Sequence, residues 1–128
     1  MSEKRVLVVD DDAAIRQMFR TLLMRHGYVV DDAHDGNDGL THIRNGENYC
    51  AVILDLMMPK TSGFELLDIL EREQPETMRR IIVITGVSSN DLRKLDSNKV
   101  FALIRKPFDI HELLRKVGEC SEKANVVG

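Results

Sequence analysis

Three consecutive carboxylates follow a short apolar run near the start of the chain. The run Val6–Val9 leads directly into Asp10, Asp11 and Asp12. Two like charges about 4 Å apart repel by roughly 4 kcal/mol at a protein-surface dielectric, so such a cluster needs a compensating partner. Mg²⁺ takes oxygen ligands and is commonly held by one or two carboxylates together with a phosphate. The run therefore predicts a magnesium site formed by Asp10 and Asp11.

Polar residues also follow three later apolar runs, CAVIL, IIVI and VFALI. Asp55 comes directly after the first, Thr85 after the second, and Lys106 two residues after the third. A carboxylate such as Asp55 can give a metal one oxygen, or it can act as a nucleophile and form an aspartyl phosphate. A hydroxyl and an ammonium are the donors that a new phosphoryl group needs. This set predicts phosphoryl transfer to Asp55, with Thr85 and Lys106 binding the phosphoryl oxygens.

Each of these residues has a structural explanation when it is taken alone. An Asp that follows a strand is usually a helix cap, and Asp12 is expected to cap the first helix. Asp12 could also pair with Arg16 at the i+4 position. A single lysine such as Lys106 is most often solvated. The chemical interpretation therefore depends on several residues meeting at one edge of a sheet.

The elements that would position these residues alternate along the chain. Strands are expected where short runs rich in Val and Ile occur, at 5–9, 28–31, 50–54, 81–84 and 100–104. Helices are expected after each strand, near 15–22, at about 36–45, from a Ser62/Glu65 capping box through Leu70, at about 88–96, and near 110–117.

This order predicts an α/β fold, a (βα)5 doubly wound five-stranded parallel sheet with helices on both faces. The central strands are continuous apolar runs, as is typical of strands covered on both sides. The carboxyl ends of parallel strands share one edge of the sheet, where ligands bind in such folds. Asp10, Asp11, Asp55, Thr85 and Lys106 are therefore expected in one cleft.

Composition limits the class of protein. The 128 residues correspond to a single domain, with a core at about 5–119 and a C-terminal tail at 120–128. A hydrophobic content of 43% allows a real core, and a net charge of −3 argues against direct nucleic-acid binding. Cys50 and Cys120 predict two reduced thiols in a cytoplasmic protein. We expect no signal peptide and no membrane span.

Four motifs resemble one known family, the receiver domain of two-component response regulators. They are VLVVDDD at 6–12, VILDLMMPKTSG at 52–63, IIVITG at 81–86 and IRKPF at 104–108. The resemblance covers the chain from Arg5 to about Glu119. It implies a flavodoxin-like sheet in the order 2-1-3-4-5, with the site at the switch point between the first and third strands.

The resemblance also implies a role for each site residue. Asp55 accepts a phosphoryl group from a sensor histidine kinase or a histidine phosphotransfer protein. The cofactor is Mg²⁺, which Asp11 ligates directly and Asp10 mainly through water, with Asp55 and the main-chain carbonyl of Met57 as further ligands. The domain catalyses only its own phosphorylation and dephosphorylation, so it is not an enzyme acting on a separate substrate.

The last two motifs carry further expectations. Thr85 and Lys106 bind the phosphoryl oxygens, and the Lys106–Pro107 peptide is expected to be cis. The family usually has Tyr or Phe three residues before this lysine, where this chain has Leu103. Phe101 lies two residues earlier, on the same strand face by parity. Without the aromatic ring, we expect the active-state signal to rest on residues 86–98.

Three alternatives compete with a receiver domain. An Asp-nucleophile phosphatase with Mg²⁺ would have a DxDx[TV] pattern after the first strand, whereas this chain has DDDAA. A nucleotide-binding domain would need GxGxxG or GxxxxGK[ST], and neither occurs. A receiver-like module that is never phosphorylated would not need every site residue, whereas this chain has all five.

Partners follow from the resemblance. The output is either a downstream protein or a C-terminal effector domain of a longer regulator, with a phosphorylation-dependent dimer as a further expectation. We expect no membrane partner.

Overall fold

The computed structural model describes residues 4–45, 48–56, 63–86 and 97–127. Five strands and five helices, with one short 3₁₀ turn at Ser97–Lys99, make up the described chain. In chain order they are β1 Arg5–Val9, α1 Ala13–Arg25, β2 Val29–Ala33, α2 Gly36–Arg44, β3 Tyr49–Asp55, α3 Gly63–Glu73, α4 Pro75–Met78, β4 Ile81–Thr85, β5 Ala102–Arg105 and α5 Ile110–Val127.

The strands form one parallel sheet in the order β2-β1-β3-β4-β5. This confirms the α/β fold and the strand order that the resemblance implied. At the carboxyl edge, Val9 pairs with Leu54, and Asp55 pairs with Ile84. The register therefore aligns the ends of β1, β3 and β4, so that residues following them meet at one place.

Apolar cores cover both faces of the sheet. Leu7 and Val9 point to the α2/α3 core, which includes buried side chains of α2 and α3 such as Leu40 and Leu66. Val6 and Val8 point to the α1/α5 core, which includes buried side chains of α1 and α5 such as Phe19, Leu23, Leu113 and Val117. All of β3 is buried. Covering on both sides is the reason that the central strands are uninterrupted apolar runs.

The edge strand β2 differs from its expected span of 28–31. It continues to Ala33 through Asp31 and Asp32, two residues that are rare in strand interiors. Asp31 accepts hydrogen bonds from Arg5 Nη1 at 3.0 Å and from the Tyr49 hydroxyl at 2.7 Å. Partners from neighbouring elements thus stabilise the Asp31 carboxylate within the strand.

The expected helix at 88–96 and Ser62 of the expected capping box lie outside the described residues. Two of the described helices, α4 and α5, differ from the expectations. The four-residue helix α4 was not expected from the apolar pattern, and it begins with Pro75, which suits the first turn of a helix. Helix α5 continues to Val127, through the segment expected as a C-terminal tail.

The prediction that Phe101 shares a strand face with Leu103 is wrong. Leu103 packs against the α2/α3 core, whereas Phe101 packs against the α1/α5 core, where Lys123 of α5 lies 5.7 Å from its ring centre. Parity holds only inside a strand, and β5 begins at Ala102. Phe101 therefore cannot stand in for an aromatic ring at position 103.

The thiols of Cys50 and Cys120 are free and buried, and Cys50 lies near the amino end of β3. The Cys120 thiol donates to the Cys50 carbonyl oxygen at 3.2 Å, and burial raises the pKa of Cys120 to about 12. A thiol with such a pKa is almost never ionised and is a poor nucleophile. Within the described ranges, the helices include none with the length and apolarity needed to span a membrane.

Candidate phosphoacceptor site

Asp10, Asp11 and Asp55 form the acidic cluster at the carboxyl edge of the sheet. Each offers a carboxylate oxygen, and these oxygens all lie within 4.8 Å of one another. Asp10 follows β1 and Asp55 ends β3, its neighbour in the sheet, so the topology brings them together. Asp10 and Asp55 are buried, whereas Asp11 is exposed. Three hard oxygen donors around one open position fit Mg²⁺, which keeps several waters or phosphate oxygens as ligands.

The electrostatics of Asp10 show the cost of this cluster. Burial raises the pKa of Asp10 from 3.8 to about 6, and the charges of Asp55 and Asp11 add to the rise. The rise is opposed by the Asp12 N–H, which donates to Asp10 Oδ1 at 2.9 Å, and by the charge of Lys106. A bound divalent cation would remove much of this repulsion, because its charge inverts the local balance.

Lys106 supplies the positive charge of the site. Its Nζ lies 3.4 Å from Asp55 Oδ2. The Lys106 N–H donates to the carbonyl oxygen of Thr85 at 2.8 Å, which anchors the turn after β5 to the end of β4. The Lys106–Pro107 peptide is cis, which confirms that expectation. Lys106 is thus held where it can neutralise charge on Asp55 or on a group attached to it.

Thr85 ends β4, the strand beside β3. It is almost completely buried. The register pairs Asp55 with Ile84, so Thr85 lies one residue beyond the level of Asp55 on the adjacent strand. The structure therefore brings to one edge of the sheet all five residues expected there. Met57, the expected source of a main-chain ligand, lies outside the described residues.

Gly63 is a site residue that the sequence reasoning missed. Its N–H donates to the Leu56 carbonyl oxygen at 3.1 Å, so the start of α3 rests on the backbone just after Asp55. A Cβ at this position would lie 2.6 Å from Leu56 Cα and 2.8 Å from the Asp55 carbonyl oxygen. Glycine is required by this close approach, and the signal available in the sequence was a glycine at the start of the third apolar helix pattern.

Asp12 has the capping role expected for it. Its carboxylate accepts hydrogen bonds from the N–H groups of Ala14 and Ile15 at the start of α1. The alternative pairing was with Arg16, whose side chain instead reaches the Asp10 carbonyl oxygen and lies near Asp32. Sequence spacing gave no sign of the contact between Arg16 and Asp32, because Asp32 lies on strand β2 and not on helix α1.

A small cavity of about 20 Å³ lies beneath Asp10, Asp55 and Lys106. The rings of Phe19 and Phe108 line it and stack with their centres 5.9 Å apart. This volume is close to the minimum that one water needs, so the cavity cannot hold an organic substrate. The apolar floor keeps the buried carboxylates poorly solvated, which explains the raised pKa of Asp10.

Comparison with known proteins agrees with this geometry. The family model of the response regulator receiver domain matches residues 6–118. The transcriptional regulatory protein DltR of Streptococcus agalactiae is 37% identical over 115 residues, which are 88% of this chain and 50% of DltR. The chain thus spans about half the length of this curated relative.

Two solved structures are similar over nearly the whole chain. A CheY-like response regulator receiver domain protein from Methanospirillum hungatei has a TM-score of 0.86 at 31% identity, covering 99% of this chain and 100% of that one. The response regulator TrrA from Thermotoga maritima, solved in complex with Mg²⁺-BeF, has a TM-score of 0.79 at 34% identity, covering 91% and 98%. With the family match over most of its length, this chain belongs to the response regulator receiver domain family, whose members act in two-component phosphoacceptor signalling.

Proposed function

We propose that Asp55 is the phosphoacceptor of this receiver domain. One observation carries the assignment: the buried carboxylate of Asp55 lies both within the acidic cluster and 3.4 Å from Lys106 Nζ. Asp10 is also buried and Asp11 is exposed, and among the described residues neither forms an ion pair with Lys106. Of the three carboxylates in the cluster, Asp55 is therefore the one in direct ion-pair contact with Lys106.

The reaction assigned to Asp55 is the transfer of a phosphoryl group from a phosphohistidine. An oxygen of Asp55 attacks phosphorus, the P–N bond breaks, and the imidazole leaves with the electron pair and takes up a proton. The Lys106 ammonium neutralises charge on the phosphoryl oxygens, and the Thr85 hydroxyl donates a hydrogen bond to one of them.

Asp10, Asp11, Asp55 and the Met57 carbonyl are proposed as the protein ligands of Mg²⁺. When bound, the ion supplies positive charge that stabilises the transferring phosphoryl group. The relative TrrA was solved with Mg²⁺-BeF, and the donor set of the present chain suits the same ion. The buried carboxylates of Asp10 and Asp55 provide fixed oxygens. Asp11 is exposed, so the site is open to a phosphoryl donor.

The proposed partners are a sensor histidine kinase or histidine phosphotransfer protein upstream, and a downstream protein or effector domain. Relatives such as DltR are transcriptional regulators about twice as long as the matched segment, which supports an effector in the whole protein. We propose that residues 1–128 form a single cytoplasmic receiver domain that binds no nucleic acid itself and dimerises on phosphorylation. The two free thiols support a cytoplasmic location. The net charge of −3 supports the absence of direct nucleic-acid binding.

The sequence after β1 supports the proposal that the domain has no separate substrate. An Asp-nucleophile phosphatase would have a DxDx[TV] pattern there, whereas this chain has DDDAA. Turnover of a generic phosphate monoester distinguishes the two functions. We expect none, and sustained turnover would favour the phosphatase.

Phosphorylation by acetyl phosphate tests the assignment of Asp55. We expect intact-mass spectrometry to show one added phosphoryl group in the presence of Mg²⁺ and none in EDTA, and borohydride trapping to locate it at Asp55. Asp55→Asn should abolish the addition, whereas Asp68→Asn, on the exposed face of α3, should not. Addition that persists in Asp55→Asn, or that needs no divalent ion, would contradict the proposal.

A further inference from the structure

Arg16 contacts the backbone of the acidic cluster from the first turn of α1. Its Nη1 donates to the main-chain carbonyl oxygen of Asp10 at 2.8 Å. On the other side of the guanidinium, Nε lies 3.9 Å from Asp32 Oδ2 on β2. The Arg16 side chain is only 19% exposed, so this arrangement is largely shielded from water. Hydrogen bonds from a charged donor are roughly twice as strong as those between neutral groups.

The contact matters because of the peptide that it holds. The carbonyl of Asp10 and the N–H of Asp11 belong to one planar peptide unit. The Asp10 N–H donates to the Ala33 carbonyl oxygen at 3.1 Å, so the peptide unit before Asp10 is already tied to β2. Arg16 holds the next unit, the one that leads into Asp11. The orientation of that unit decides where the exposed carboxylate of Asp11 stands relative to Asp10 and Asp55.

Arg20 offers a natural comparison on the same helix. Its Nη2 lies 3.2 Å from the same Asp32 carboxylate, and its Nη1 donates to the Val30 carbonyl oxygen at 3.0 Å. Arg20 therefore ties α1 to β2, as Arg16 does, but its described bonds go to β2 alone. A role in stability would be common to both arginines, whereas a role at the acidic cluster would belong to Arg16.

We propose that Arg16 is a positioning residue for the metal-binding pair Asp10 and Asp11, an inference that rests on the proposed function of the cluster. Arg16 fixes the peptide between the two acidic residues and thereby preorganises the oxygens that bind Mg²⁺. Partners that orient metal ligands typically contribute 10- to 100-fold to metal affinity. Because Arg16 holds the backbone of one ligand pair, we expect its loss to weaken Mg²⁺ binding by about tenfold.

Calorimetric titration of Mg²⁺ into wild type, Arg16→Met and Arg20→Met tests the inference. We expect a Kd for Mg²⁺ about tenfold higher in Arg16→Met, and a change of less than about twofold in Arg20→Met. Urea unfolding in EDTA should show similar losses of stability in the two variants, because both cut a link between α1 and β2. An unchanged Mg²⁺ affinity in Arg16→Met, or equal weakening in Arg20→Met, would overturn the proposal.

A lysine pair keeps the test decisive if the methionine variant does not fold. Lysine preserves the charge but cannot contact the Asp10 carbonyl and the Asp32 carboxylate together. Arg16→Lys should bind Mg²⁺ with an affinity between those of wild type and Arg16→Met, while Arg20→Lys stays at the wild-type value. Equal affinities in the two lysine variants would refute the role. Failure of wild type itself to bind Mg²⁺ would instead refute the proposed metal site, so the two failures are distinguishable.

Discussion

Replacing Asp10 by Asn should make the metal-free protein more stable at neutral pH. Burial raises the pKa of Asp10 to about 6, so the folded state disfavours the ionised carboxylate. Below about pH 3.8 the group is protonated in both states and has no effect. Between 3.8 and 6 the unfolded chain loses the proton that the folded chain keeps, so the free energy of unfolding falls as pH rises. Above about pH 6 Asp10 is ionised in both states, and the full cost of burying its charge lowers the free energy of unfolding.

The size of the effect follows from the two pKa values. A rise from 3.8 to about 6 corresponds to about 3 kcal/mol, at about 1.36 kcal/mol for each pH unit. Asp10 is only 4% exposed, so solvent screening reduces this figure little. The amide oxygen of Asn can still accept the Asp12 N–H that Asp10 Oδ1 accepts, and the packing volume is nearly unchanged. The substitution therefore removes the charge and keeps the hydrogen bond.

Urea unfolding followed by circular dichroism in EDTA gives the measurement. We expect Asp10→Asn to exceed wild type by up to about 3 kcal/mol at pH 7.5, and by nearly nothing at pH 3.5. Asp68→Asn, an exposed acidic residue on α3, is the matched control and should change stability by less than about 0.5 kcal/mol. No gain at pH 7.5, or the same gain at both pH values, would show that burial of the Asp10 charge is not costly.

Three other predictions concern the metal, the backbone beside Asp55 and the output. Mg²⁺ at a hundredfold excess over its Kd should stabilise the fold by about 2.7 kcal/mol in thermal unfolding, and Asp11→Asn should remove most of this; an unchanged Tm in wild type would contradict the metal site. Gly63→Ala should destabilise by about 1–3 kcal/mol through overlap with the Leu56 backbone, whereas Gly118→Ala, with no atom near its added Cβ, should not destabilise; equal effects would refute the close-approach argument. Because Leu103 replaces the usual aromatic, beryllofluoride should change amide exchange within 86–98, and changes confined to β5 and α5 would refute this.

Much of the fold could be predicted because its signals are local. Val- and Ile-rich runs alternating with helical periodicity predict parallel strands and crossover helices without knowledge of any contact. The same topology places residues that follow each strand at one edge, so Asp10, Asp55, Thr85 and Lys106 could be assigned to a common site before any distance was known. The capping role of Asp12 was equally accessible, since a cap bonds to N–H groups two and three residues away.

Only the tertiary structure decided the contacts between residues that lie on different elements. The Arg16 guanidinium reaches Asp10 and Asp32 because α1 packs beside β2, whereas helix spacing alone offered a bond to Asp12 as an alternative to the cap. The need for glycine at position 63 appears only when α3 is seen to rest on the backbone after Asp55. Phe101 faces the α1/α5 core because β5 begins two residues later than the apolar pattern indicates. Sequence patterns report local periodicity, whereas these contacts depend on where whole elements pack and end, which is settled by the shape of the assembled core.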